Sequence, residues 1–277
     1  MIFKSHLLGV VCACIAFLSL SANAAFTYDL AEFSQYNGTN TFNDQFSDGV
    51  EPPSGPVPGL NYAVLPWTST TFGSTRESGG LLELNSEDAE IGKDGDKMIG
   101  AFLINQDYFF SPNAGGSVTG AFQVNNGFYN NTWFGIQIDN FDPVQGTPEN
   151  PASPATLEEA VFGIYTDLSG NNFAIWGDTT GPHTLDITSD LVGITEITMS
   201  LLINTANQVT ARFDYGSNGS LDLSIDNFTT LSFTPGDPND VFSGGFVAGE
   251  VVPIPSAVWL FGTGLIGLIG IARRKKS

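Results

Sequence analysis

The chain has 277 residues, 29 Asp and Glu against nine Lys and Arg, and a formal net charge of −20. A surface this acidic repels phosphate backbones and anionic headgroups, which excludes nucleic acid as a partner. With 42% hydrophobic and 12% aromatic residues the composition still supports a packed core, so the charge belongs on a folded domain and not on a disordered chain.

The first residues read as a Sec signal peptide. Lys4 supplies the positive end, LLGVVCACIAFLSL (7–20) the apolar run, and SANAA (21–25) the small residues that signal peptidase requires. Cleavage is expected between Ala24 and Ala25, which removes residues 1–24 once the Sec translocon has passed the chain. Cys12 and Cys14 are the two cysteines, and both leave with that segment. The exported part then has no disulfide, thiol nucleophile or cysteine metal ligand. From Ala25 to Val251 four bases (Arg76, Lys93, Lys97 and Arg212) stand against all 29 acids, a net charge of −25.

Residues 25–251 show no long apolar stretch of helical period. Short runs rich in β-branched and aromatic residues alternate with Gly, Asn, Asp and Pro, the pattern of strands and turns. In chain order, strands are expected at 61–67, 80–85, 97–105, 117–125, 132–139, 160–167, 172–178, 197–204, 209–215, 220–233 and 241–249. In TWFGIQID (132–139), Phe134, Ile136 and Ile138 alternate with Trp133, Gly135 and Gln137, which predicts one buried and one outward face. Asn218-Gly219 between two alternating runs predicts a hairpin turn. The Pro-rich stretches 51–59 and 142–159 are too long for hairpins, and the second has room for a helical turn at Thr156–Glu159. Neither divides the chain into self-sufficient halves, so the expected architecture is one all-β domain, a jelly-roll-like antiparallel β-sandwich. The strand GGLLELNS followed by GAFQV and FGIQID is similar to the concanavalin A-like sandwiches of lectins and glucanases.

Catalytic signals are sparse. A glycosidase of that sandwich type carries Glu-x-Asp-x-x-Glu on one strand, and ELNSEDAE (83–90) lacks that spacing. His183 is the one histidine after the signal peptide, in a turn, with no Gly-x-Ser-x-Gly elbow for a nucleophile. Zinc and haem lack ligands. Calcium is the cofactor the sequence leaves open, because loop oxygens suffice for it. DYGSNGSLD (214–222) places Asp214, Asn218 and Asp222 at EF-hand-like positions, without the closing Glu. DNFDP (139–143), with Asp139 and Asp142, is similar to the metal loop of legume-type lectins. Trp67, Trp133 and Trp176 are candidates for stacking on sugar rings, with core packing as the competing role of each.

The chain closes on VPIPSAVWLFGTGLIGLIGIARRKKS. The 19 residues 254–272 carry no charge, and as a helix they would extend about 28 Å, close to one hydrocarbon core. Arg273, Arg274, Lys275 and Lys276 would stay cytoplasmic and leave the acidic domain outside. Val252, Pro253, Ile254 and Pro255 hold an extended, donor-poor lead into that helix. Together, 252–277 resembles the PEP-CTERM sorting signals, in a VPxP variant with Ile254 in place of Glu. The resemblance implies recognition by exosortase near Pro253–Pro255, an inner-membrane-tethered precursor, and then release or attachment at the cell surface among exopolysaccharide. The expected function is that of a non-enzymatic surface or biofilm-matrix protein that binds carbohydrate. The alternative is a glycoside hydrolase or lyase on a concanavalin A-like fold.

Overall fold

The computed structural model describes residues 26–47, 62–64, 74–85, 97–103, 105–142, 147–148, 160–178, 181–233 and 241–250. Residues 25–251 form one compact unit. The expected signal peptide (1–24), the expected sorting segment 252–277, the Pro-rich stretch 51–59 and the expected turn at 156–159 lie outside the described residues, among which no helix is long and apolar enough to cross a membrane.

The strands in chain order are β1 (Thr27–Tyr36), β2 (Thr41–Asp44), β3 (Tyr62–Val64), β4 (Ser74–Ser78), β5 (Leu81–Asn85), β6 (Lys97–Leu103), β7 (Gly116–Gln123), β8 (Thr132–Asp142), β9 (Thr147–Pro148), β10 (Ala160–Thr166), β11 (Asn172–Asp178), β12 (Gly181–Asp186), β13 (Glu196–Ile203), β14 (Gln208–Tyr215), β15 (Leu223–Thr230) and β16 (Val241–Glu250). They build an antiparallel two-sheet sandwich. The first sheet runs β15-β14-β13-β7-β1-β5-β4 with β2 also on β1, and the second runs β12-β11-β10-β8-β16-β6-β3 with β9 also on β8.

Alternation decides what each strand buries. The first sheet turns inward Tyr28, Leu30 and Phe33 of β1, Val118 and Phe122 of β7, Ile197, Met199 and Leu201 of β13, and Val209, Ala211 and Phe213 of β14. The second answers with Phe134, Ile136 and Ile138 of β8, Phe162 and Ile164 of β10, and Phe242 and Phe246 of β16. Aromatic rings meet across the gap. Phe134 lies 4.3 Å from Tyr28 and 5.0 Å from Phe122, Phe162 lies 4.1 Å from Phe213, and Phe33 lies 5.4 Å from Phe246.

Strands β1, β2, β4 and β9 were not expected from the sequence, and His183, read as lying in a turn that enters a strand, is inside β12. In β1 the pairing register shifts between Leu30 and Glu32, so the inward set runs Tyr28, Leu30, Phe33, Gln35 and the strict period of two is lost. Strand β12 contains Pro182, which is tolerated because this strand is a sheet edge. The expected hairpin exists, but β14 and β15 are joined by residues 216–222 and not by a two-residue Asn218-Gly219 turn. Asp214 accepts the N–H groups of Asn218 (3.0 Å) and Gly219 (2.7 Å), and Asp222 accepts that of Tyr215 (2.6 Å), which folds the connection into a wider loop.

Several buried polar groups pair across the sandwich, whereas Gln137 Nε2 and the Tyr215 hydroxyl have no hydrogen-bond partner. Thr132 Oγ1 donates to Tyr129 O (2.6 Å), which leaves the Tyr28 hydroxyl to donate to Thr132 Oγ1 (2.5 Å) while accepting the Tyr129 N–H (3.3 Å). Burial pushes the Tyr28 hydroxyl up to about 12, against these hydrogen bonds. The folded state thus holds its proton to a higher pH than the unfolded chain, whose tyrosines titrate near 10. Stability from this group is present in full below pH ~10 and is lost as the pH rises towards ~12. Tyr215 is also raised, first by burial and then by Asp190 and Asp222, and acts in the same direction. A melting-temperature series followed by tyrosinate absorbance should therefore show a flat response through neutral pH and a steep fall above ~10.

Candidate functional site

The outward faces of the two sheets differ in chemistry. On the first sheet Asp29, Glu32, Ser34, Thr119, Gln123, Thr198, Ser200, Arg212 and Asp214 point away from the core. Asp29 and Glu83 are cross-strand neighbours there, and the Asp29 carboxyl is raised by burial and then by the Glu83 charge. The flanking positions in the same row are Gln123 and Arg76, so no apolar wall stands beside this carboxyl pair.

The second sheet presents an aromatic face. Trp133, Tyr165 and Phe173 occupy one row on three adjacent strands, with Tyr165 directly opposite both of the others. All three are half-buried and point away from the inter-sheet core. The rings of Tyr165 and Phe173 are 6.4 Å apart and inclined by 28°. Tyr165 donates its hydroxyl to Asn131 Oδ1 (3.3 Å), which holds the middle ring in place. Its pKa is raised by burial and then by Asp167, so it stays a neutral phenol. Beyond Trp133 the row continues to Gly249, which offers no side chain.

The next row is Ile175, Gly163, Gly135, Val247 and Gly100. Here glycine is required by close approach of backbones. A Cβ at Gly135 would stand 2.2 Å from Phe162 O and 2.7 Å from Gly163 Cα, one at Gly163 would stand 2.3 Å from Phe134 O, and one at Gly100 would stand 2.3 Å from Phe246 O. The result is a row beside the aromatic one in which three of the five positions are glycine and the Val247 side chain is fully buried. A third row holds Val161, Gln137, Gly245 and the fully buried Phe102, whose ring stands 2.6 Å from where a Gly245 Cβ would be, and a fourth holds Asp139 and Ser243.

The described residues of this face include no Lys or Arg. Its carboxylates are far apart, because Asp139 lies six residues along β8 from the row that ends at Asp186, about 20 Å. Asp186 is held below the usual carboxylate range by the Thr188 N–H and hydroxyl, and Asp167 by Asn171, so both remain charged turn caps.

Of the three tryptophans, Trp133 lies in the aromatic row. Trp176 faces the other way: it packs against the core edge and stacks on His183 with centroids 5.5 Å apart and planes 19° apart. Trp67 lies outside the described residues. The sequence-predicted calcium ligands fall in two places. Asp214 gives both carboxylate oxygens to backbone donors of its loop, Asn218 caps Ser220 (2.8 Å), and Asp222 caps Tyr215. Asp139 is buried in the outward face of β8, and the side chain of Asp142 lies outside the described residues. Among the described residues no three Asp, Glu, His or Cys side chains converge. Tyr165 and Phe173 escaped the sequence reading, which weighed tryptophans alone. The alternation in NFAIWGD could have found Phe173, because it shares a parity with Ile175 and opposes that of Ala174 and Trp176.

No family model and no curated protein matches this chain. Among solved structures it is similar to an endo-1,3-beta-glucanase from Streptomyces sioyaensis, at 13% identity over 74% of this chain and 91% of that one, with a TM-score of 0.36. The Emp47p carbohydrate recognition domain matches at 10% identity over 74% and 87%, with a TM-score of 0.31. A beta-1,3-glucanase from Mycobacterium marinum matches at 11% identity over 77% and 89%, with a TM-score of 0.27. Likenesses this partial assign neither a family nor an activity.

The close backbone approach at these glycines has a direct consequence. Gly135→Ala should lower unfolding free energy by about 1–3 kcal/mol in urea denaturation, because the clashing atom is a backbone oxygen that cannot step aside.

Proposed function

We propose that residues 25–251 form a non-enzymatic, glycan-binding domain of an exported protein, displayed at the cell surface or in the extracellular matrix. The observation that supports this reading is the row of Trp133, Tyr165 and Phe173 on one accessible sheet face. Adjacent strands stand about 4.8 Å apart and the Tyr165 and Phe173 rings 6.4 Å, a spacing on the scale of successive sugar rings in a chain. Flat aromatic faces stack on the C–H faces of pyranoses, and every residue in the row is partly exposed. The acidic surface favours uncharged polysaccharide over uronates.

Traffic follows from the two ends of the chain. Signal peptidase removes residues 1–24, the helix at 254–272 tethers the precursor in the inner membrane, and exosortase cuts near Pro253–Pro255. The exopolysaccharide around the cell then serves as ligand for the aromatic face.

Two measurements test this. In affinity gel electrophoresis through soluble neutral polysaccharides, wild-type protein should be retarded and Trp133→Ala should bind about tenfold more weakly at unchanged melting temperature. Equal retardation of the two proteins contradicts the role of the strip. Mass spectrometry of the surface-located protein should find a C-terminus upstream of Arg273; a surviving ARRKKS peptide contradicts processing.

A further inference from the structure

The three most exposed large apolar side chains among the described residues stand at one end of the sandwich. Val192 is 81% exposed, Leu168 65% and Leu221 55%. They lie in the connections that join β12 to β13, β10 to β11 and β14 to β15. Hydrogen bonds brace these connections against one another and against the one between β7 and β8. The Ile187 N–H donates to Asn172 O (2.9 Å), Asn130 Nδ2 to Leu168 O (3.3 Å), the Val124 N–H to Thr195 O (2.8 Å) and the Gly216 N–H to Glu196 O (2.7 Å). Single exposed apolar residues are ordinary, but three on the tips of one braced end, with none of them held by the core, mark a contact surface.

Strand β16 also finishes at this end, where Glu250 stands opposite Thr132, the first residue of β8. The expected membrane span at 254–272 begins four residues further on, at most about 14 Å of extended chain. While the tail holds the precursor, this is therefore the end of the domain that is brought to the bilayer.

We propose that the tips Leu168, Val192 and Leu221 are a lipid-docking surface, which seats this end of the domain in the headgroup region of a zwitterionic bilayer while the precursor is tethered. This rests on the tethering reading of the tail and goes further, because it gives the domain a membrane contact of its own and names the charge class of the lipid. Asp167, Asp190 and Asp222 lie in the same connections, which contain no Lys or Arg. Anionic headgroups are repelled by them, and lipids without net charge are accepted. Three apolar side chains give only a weak attraction by themselves. The tether makes docking an intramolecular step and so makes the weak contact sufficient. Cutting the tail removes that advantage, and the domain lets go of the bilayer.

The test uses the exported precursor, residues 25–277, held by its tail in phosphatidylcholine vesicles. Cys12 and Cys14 lie upstream of it, so Val192→Cys carries the only site for an environment-sensitive fluorophore. Its emission should shift to the blue and be quenched by nitroxide lipids labelled just below the headgroup. The same fluorophore on Ala206→Cys, in the turn between β13 and β14 at the opposite end, should show neither effect. Leu168→Ser with Leu221→Ser changes exposed side chains alone, so the melting temperature should hold while quenching at position 192 falls towards the level at 206. Vesicles made with equal parts of phosphatidylglycerol should weaken the quenching at low salt. If the precursor floats with the vesicles but position 192 is quenched no more than 206, docking falls and the tether stands. Quenching that survives the double serine change overturns the role of the tips, and quenching as strong on phosphatidylglycerol overturns the lipid class. A blue shift without nitroxide quenching, lost at low protein-to-lipid ratio, assigns the tips to a second copy of this chain and overturns the proposal. If the precursor does not float with the vesicles, the tethering reading fails and this inference with it.

Discussion

Strand β8 is packed on both faces, and the rest of the molecule is arranged around that constraint. Its inward residues Phe134, Ile136 and Ile138 are fully buried between the sheets, and its outward residues Gly135, Gln137 and Asp139 are buried as well. Because side chains alternate with a period of two, a slip of one residue would drive Gln137 and Asp139 into the core and turn three large apolar side chains out. Register in β8 is therefore strongly specified, and the strands paired to it inherit that register. The aromatic row exists because β10 and β11 are aligned to Trp133 through the same ladder that aligns their inward residues to Phe134.

Specific polar contacts tie the two sheets where apolar packing alone would allow sliding. Gln35 of β1 is fully buried, donates through Nε2 to Tyr108 O (2.7 Å) and accepts the Gly244 N–H of β16 at 2.8 Å. A Cβ at Gly244 would stand 2.4 Å from Val118 Cγ2 and 2.6 Å from Gln35 Oε1, so this approach of β16 to the opposite sheet needs glycine. The Tyr28–Thr132 pair makes a second cross-sheet link, and Ser243 donates to Leu103 O within the second sheet. Each satisfied group avoids a desolvation penalty of about 1–3 kcal/mol, which is comparable to a large core substitution.

The two outer faces differ in composition. The first sheet carries charged and polar residues on its outward face, among them Asp29, Glu32, Arg212 and Asp214. The outward positions of the second sheet mix aromatic, apolar and glycine residues with Gln137, Asp139, Ser243 and Asp186, and the Gln137 amide without a partner lies among them.

Much of this was legible beforehand. The alternation in 132–139, 160–167, 172–178, 197–204 and 209–215 identified strands and the inward residues of β8, because a half-buried pleat imprints a period of two. The same alternation marked Trp133 as the outward tryptophan of its strand. Trp176 looked equivalent and is not, since its parity matches that of Ala174 and it faces the core edge. The β1 bulge and the Pro182 edge strand broke the local pattern that strand recognition depends on.

By itself the sequence determined the strand-rich class, the parity of each regular strand, the confinement of cysteine to positions 12 and 14 and the acid balance, all of which are local or compositional properties. The choice of which strands stand side by side was made only in three dimensions. Pairing β8 with β10 and β10 with β11 brought Trp133, Tyr165 and Phe173 together from three separate segments, and laid a glycine-rich row beside them. Cross-strand neighbours are set by long-range ladders and inter-sheet packing, and no short window of sequence carries that information.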